Sequence, residues 1–147
     1  MVRLCAAGVT LRNQVNARFP RRDKTSDGWI GDAAHAAREG WGLNGKGSYH
    51  NPAPNGFVHA LDIDEDFGAP GDNRKFADQL ATYCRFGFDG GRIVHIVYED
   101  QVASKTAGNW HFRGSGYGHS HHIHISFSAK ADLNGAKFYL PILKMPR

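Results

Sequence analysis

The tightest constraint in this chain is a six-residue alternation, His122-Ile123-His124-Ile125-Ser126-Phe127. Successive side chains of a β-strand point to opposite faces, so His122, His124 and Ser126 share one face while Ile123, Ile125 and Phe127 share the other. Such a segment has to bury its apolar side in a core and carry two imidazoles on the side away from it. Imidazole is the commonest transition-metal ligand and the commonest acid or base near neutral pH. One strand face can therefore serve both a metal and a proton transfer.

Further ligands stand upstream. Ser48-Tyr49-His50-Asn51-Pro52 precedes a second alternation, Phe57 to Asp64, with Val58, Ala60, Asp62 and Asp64 on one face and Phe57, His59, Leu61 and Ile63 on the other. Asp62 thus points away from His59, which makes His59 a poor co-ligand. His50 lies before a Pro- and Gly-rich turn that can fold it back over the strand. His50, Asp62 and His124 together supply two imidazoles and a carboxylate with a fourth position open, the donor pattern of catalytic rather than structural zinc.

In order along the chain, these segments resemble a family. Asp27 to His35, Tyr49 to Pro52, Ala60 to Asp64 and His119 to Ser126 are similar to the running pattern of the LAS metallopeptidases. That group holds the D-Ala-D-Ala peptidases, the lysostaphin-type enzymes and the hedgehog signalling domain. The resemblance is nearest to the peptidoglycan peptidase domains of actinobacterial phage endolysins, and it runs from about Leu11 to Phe127. It implies an α+β domain with a small, mainly antiparallel sheet and flanking helices, a Zn2+ cofactor, and hydrolysis of an amide bond in the peptide stem of the bacterial wall. It also sets His35 beside the metal, as a supporting residue rather than a ligand. Two departures bear on substrate preference: Tyr49 stands where the family has an aspartate, and Gly40 to Gly47 is an insertion that carries Trp41.

Amide hydrolysis needs a proton carried to the leaving amine. His122, two residues from His124 on the same face, is placed for that or for holding the oxyanion. Some relatives use a carboxylate three residues before the last ligand; here that position is His121, so His119 or His121 is expected to assist His122. Asp64, on the face of Asp62, is expected to orient a ligand. Three other functions compete: a D-Ala-D-Ala carboxypeptidase on the same fold, a metal-dependent nuclease, and a metal-binding module without catalysis.

Composition narrows these. At 147 residues the chain reads as one catalytic domain, 1–147, with no room for a separate binding module. A formal charge of +4 favours anionic partners such as the bacterial wall. Lys and Arg are scattered rather than grouped with aromatics, so no nucleic acid partner is expected. The two cysteines, Cys5 and Cys84, form no Cys-x-x-Cys pair, which argues against a disulfide scaffold and a thiolate metal site. No signal peptide and no membrane insertion are expected. The expectation is a monomer made in the cytoplasm that acts on the wall after release.

For the remaining elements, the spacing of Leu11, Val15 and Phe19 predicts a helix from Thr10, as N-cap, to Arg18. Asp32 reads as the N-cap of a short helix carrying His35. Asp72 to Tyr83 predicts a second clear helix capped by Asp72. Arg92 to Tyr98 is apolar on both faces, the pattern of a central strand, with His95 read as a core histidine. Glu99-Asp100-Gln101 reads as a hairpin turn, Asn109 to Arg113 as a strand or a cleft wall, and Leu133 to Arg147 as a tail packing Phe138, Tyr139, Leu140, Ile142 and Leu143. The glycine clusters in 40–56, 87–91 and 114–118 read as loops around the site.

Overall fold

The computed structural model describes residues 1–31, 47–115 and 121–145. The expectations for Asp32, His35, Trp41 and His119, and for most of the Gly40 to Gly47 insertion, lie outside the described residues.

Among the described residues the protein is α+β, with a small antiparallel sheet and two α-helices. Four strands form the sheet: β3 (Ala60–Asp64), β4 (Ile93–Tyr98), β5 (Gln101–Ser104) and β6 (His122–Phe127), in the order β3-β6-β4-β5. Two further strands, β1 (Arg3–Leu4) and β2 (Phe57–Val58), pair in parallel beside it. The helices are α1 (Ala6–Arg18) and α2 (Asp72–Arg85).

The histidine strand is thus interior, between β3 and β4, and the alternation read from its sequence is realised. Ile123, Ile125 and Phe127 are fully buried in one core with Leu61, Ile63 and Ile96 of the sheet and Leu11, Val15, Phe76 and Leu80 of the helices. Burying side chains of this size stabilises the fold by about 1.5–3 kcal/mol each, which pins the register. A slip of one residue would turn every imidazole into the core. The opposite face of the sheet is left for His122, His124 and Ser126.

β4 is central, as its two apolar faces predict, but a β-bulge between Ile93 and His95 changes its parity. Ile93 pairs with Phe127 and joins the core, while His95 pairs with Ser126. Glu99 and Asp100 alone make the turn to β5. Both have positive φ, 47° and 66°, as a tight two-residue hairpin requires.

Several boundaries differ from those read locally. α1 begins at Ala6 rather than Thr10: its first amide donates to the carbonyl of Asp132, and the Thr10 hydroxyl donates to the carbonyl of Gly135. The cap is tertiary, and no local signal announces it. Asp72 is the first residue of α2 rather than its cap; Gly71, at φ 88°, makes the left-handed entry, and Asp72 complements the helix dipole. The segment Phe57 to Asp64 is not one strand. It breaks at His59, whose amide donates to Tyr49 and whose carbonyl accepts from Phe127.

Asn109 and Trp110 form a positive-φ turn, the Trp110 amide donates to Ser104 and Arg113 bridges to Val102, so this stretch is not a strand; Trp110 is buried, while Asn109, His111 and Arg113 are exposed. In the tail Phe138, Leu140 and Leu143 are buried and Ile142 partly so, but Tyr139 is exposed. Gly91 lies against Ser128 and Lys130, so the 87–91 cluster caps the end of β6 and does not border the histidines. Cys5 and Cys84 are buried free thiols, both pushed above the usual thiol range, chiefly by burial.

Candidate metal centre

Asp62 and His124 face each other directly across the β3–β6 pair, and Asp64 faces His122. Opposed side chains on one face of a sheet lie within contact distance. His124 Nδ1 is accordingly 3.0 Å from Asp62 Oδ1, and His122 Nε2 is 3.6 Å from the same oxygen. The other carboxylate oxygen, Oδ2, is 3.2 Å from Nε2 of His50. The turn does fold His50 back over the strand, and its ring meets that of His124 edge to face, with centroids 5.0 Å apart.

A separate segment holds this turn in place. Gly28 pairs with Asp62 through two main-chain bonds, Gly31 donates to the carbonyl of His50, and the carbonyl of Trp29 lies 3.0 Å from Nδ1 of His50. The Trp29 carbonyl can only accept, so Nδ1 of His50 carries a ring hydrogen, and Nε2 is the nitrogen presented to Asp62. Trp29 thereby fixes which nitrogen of His50 faces Asp62, through its backbone. Sequence reading missed this contact, because a carbonyl leaves no signature in residue type.

One ligand atom from each of His50, Asp62 and His124 lies within 4.8 Å of the others, and the three could hold a metal ion. The donor set fits a divalent cation: two imidazoles and one carboxylate converge, half-buried to buried, and each imidazole has its outer nitrogen engaged. The electrostatics follow from Asp62. Burial acts to raise its pKa, but hydrogen bonds from His124 and His50 and the positive charge of His50 outweigh this and hold it well below the usual carboxylate range. Burial likewise opposes charge on His50, and the bond to Asp62 and its charge still raise His50. The carboxylate stays ionised, as a ligand must be.

His122 is half-buried at the edge of this cluster, farther from Asp62 than His124 is. His121 is exposed, one residue ahead of β6, and its carbonyl accepts from Glu65. It is not among the convergent three. The Asp64 carboxylate accepts from the amides of Ser26 and Asp66, and its own amide donates to Asp27. It organises the turn that leads to Gly28. His59 is turned away, as parity predicts, and its buried ring is hydrogen-bonded to Asp132.

His95 corrects an expectation. It is half-buried and stands outside the apolar core, stacked on His124 with centroids 5.6 Å apart and bonded to the Ser126 hydroxyl at 2.9 Å. The parity of Ser126 with His124 was a usable signal. The strand pairing that brings His95 to them was not. An apolar cavity of about 580 Å3, lined by Tyr83, Phe86, Phe88 and Tyr139, lies on α2 and the tail and includes none of these histidines.

Comparisons with family models, with curated proteins and with solved structures find no match to this chain.

Proposed function

We propose that this chain is a zinc-dependent peptidoglycan peptidase of the LAS type, hydrolysing an amide bond in the peptide stem of the bacterial wall. What carries the proposal is the convergence of His50, Asp62 and His124, drawn from a turn and two neighbouring strands, with His122 beside them. These are the residues that the motif order of the sequence singles out, and their chemistry suits a cation with an open position.

Zinc bound by these three side chains would lower the pKa of a bound water and polarise the scissile carbonyl. The chain's own residues do the remainder. Asp62, ionised and braced by the Gly28 pairing, supplies the negative charge that draws the cation into the site. His50 and His124 are held in one ring orientation each, by Trp29 and Ser126. His122, at the open rim, carries the proton toward the leaving amine or donates to the developing oxyanion. A net charge of +4 favours approach to an anionic wall polymer.

The test is a single preparation assayed in parallel for bound zinc, for clearing of purified cell walls and for digestion of DNA. Stoichiometric zinc with wall clearing, and mass spectra showing cleaved stem peptides, supports the proposal. Release of terminal D-alanine alone would make the enzyme a carboxypeptidase. Cutting of DNA without wall clearing would replace the proposal with a nuclease.

A further inference from the structure

The side of His124 turned away from Asp62 is also hydrogen-bonded. Its Nε2 lies 2.7 Å from the Ser126 hydroxyl, and the same oxygen lies 2.9 Å from Nε2 of His95. Ser126 is fully buried, and Tyr49 closes edge-on over the ring of His95 at a centroid distance of 5.6 Å. A hydroxyl has one hydrogen to donate. Set between two imidazole nitrogens, Ser126 donates to one and accepts from the other.

The Asp62 end decides the direction. A carboxylate only accepts, so when Nδ1 of His124 bonds to Asp62 Oδ1 it carries the ring hydrogen. A neutral His124 then has a bare Nε2. Ser126 donates to it, and His95 has to present Nε2–H to Ser126. A cation shared by His124 and Asp62 takes the Nδ1 lone pair instead, and the ring hydrogen has to sit on Nε2. Ser126 must then accept from His124 and donate to His95, whose hydrogen is confined to Nδ1.

We propose that Ser126 couples the metal centre to His95, so that zinc binding reverses this hydrogen-bond chain and shifts His95 from its Nε2–H to its Nδ1–H tautomer. The proposal rests on the zinc reading of the site and makes Ser126 and His95 positioning residues for His124. The protons balance. One leaves Nδ1 of His124 for solvent, one passes from Ser126 to Nε2 of His124, one passes from Nε2 of His95 to Ser126, and one enters Nδ1 of His95 from solvent. The three groups hold three exchangeable hydrogens before and after, and none changes its charge. His95 is half-buried.

The experiment follows the imidazole nitrogens of the full chain by long-range nitrogen–proton NMR at pH 8. The protein is first stripped with a chelator and then given one equivalent of zinc, with bound metal counted by native mass spectrometry. The two ring nitrogens of His95 should exchange their protonated and bare signatures on zinc addition. In Ser126→Ala the exchange should vanish, and zinc affinity should fall about 10–100-fold, the usual loss when a ligand's supporting partner is removed. His95→Phe keeps a ring stacked on His124 but removes the acceptor. It should weaken zinc similarly, and the double variant should be no weaker than the worse single one. Zinc bound with the His95 signature unchanged, or the same exchange in Ser126→Ala, would overturn the coupling and leave the peptidase proposal standing. No bound zinc would overturn both.

Discussion

Arg22→Met tests how the segment that braces Asp62 is anchored. The Arg22 side chain is fully buried and its guanidinium makes a bidentate ion pair with Asp27, with Nη1 to Oδ1 at 2.8 Å and Nη2 to Oδ2. The remaining donors go to Asn16 Oδ1, at 3.1 and 2.9 Å, and to the carbonyl of Asp23, at 3.1 Å. Asp27 in turn accepts the amide of Asp64 and stands one residue before Gly28, which pairs with Asp62. Removing one partner of a buried pair costs about 3–5 kcal/mol, because the other charge is left buried. Asp27 keeps 22% of its side-chain surface exposed, and water there lessens the penalty, which sets the expected loss near the lower bound, about 3 kcal/mol. With a urea slope of about 1–3 kcal/mol per molar, the unfolding midpoint should fall by about 1–3 M. Arg22→Met combined with Asp27→Asn should recover most of this, since asparagine is neutral and still offers an oxygen to the Asp64 amide. Urea melts of the three variants decide the matter. A loss below about 1 kcal/mol, as for an exposed pair, or a double variant no better than Arg22→Met, would refute the claim that an unpaired Asp27 charge is the cause.

Alanine at His50, at Asp62 or at His124 should abolish stoichiometric zinc, read by elemental analysis after gel filtration; full occupancy in any of the three would remove that residue from the ligand set. His122→Gln should keep zinc and lower wall hydrolysis by about 10²–10⁴-fold, the usual contribution of a positioned acid or base; loss of zinc in this variant would make His122 a ligand. Glu65 is half-buried, and burial first, then the charge of Glu99, push its pKa up to about 7 from 4.5. The folded protein therefore binds the proton more tightly than the unfolded chain does. The stability this confers is present in full below pH 4.5 and is lost as pH rises through about 7. Thermal melts at pH 5 and pH 8 should show Glu65→Gln less pH-dependent than wild type, by about 1 kcal/mol or less after solvent screening, and equal slopes would contradict the assignment. Wall clearing should weaken as salt rises, because the reach of exposed charges shrinks to about 8 Å at physiological ionic strength, whereas hydrolysis of a small stem peptide should change less; matching salt curves would place the charge effect inside the site.

What the sequence determined by itself is what depends on neighbouring residues. The alternation through His122 to Phe127 follows from backbone geometry, so the face shared by His122, His124 and Ser126 was legible, as was the separation of His59 from Asp62. The four-residue spacing of Leu11, Val15 and Phe19 gave the buried side of α1 for the same reason. The group of His50, Asp62 and His124, which could hold a metal ion, was legible too, because its residue types are few and each stands at a marked position. What only the tertiary structure decided involves partners far apart in the chain: Asp132 starting α1 and pairing with His59, the Trp29 carbonyl fixing which nitrogen of His50 faces Asp62, and the bulge in β4 that turns His95 onto Ser126. These contacts are made by main-chain groups, or by side chains 31 or more residues apart in the chain. Their energies depend on register and loop closure, which residue identity along one segment does not encode.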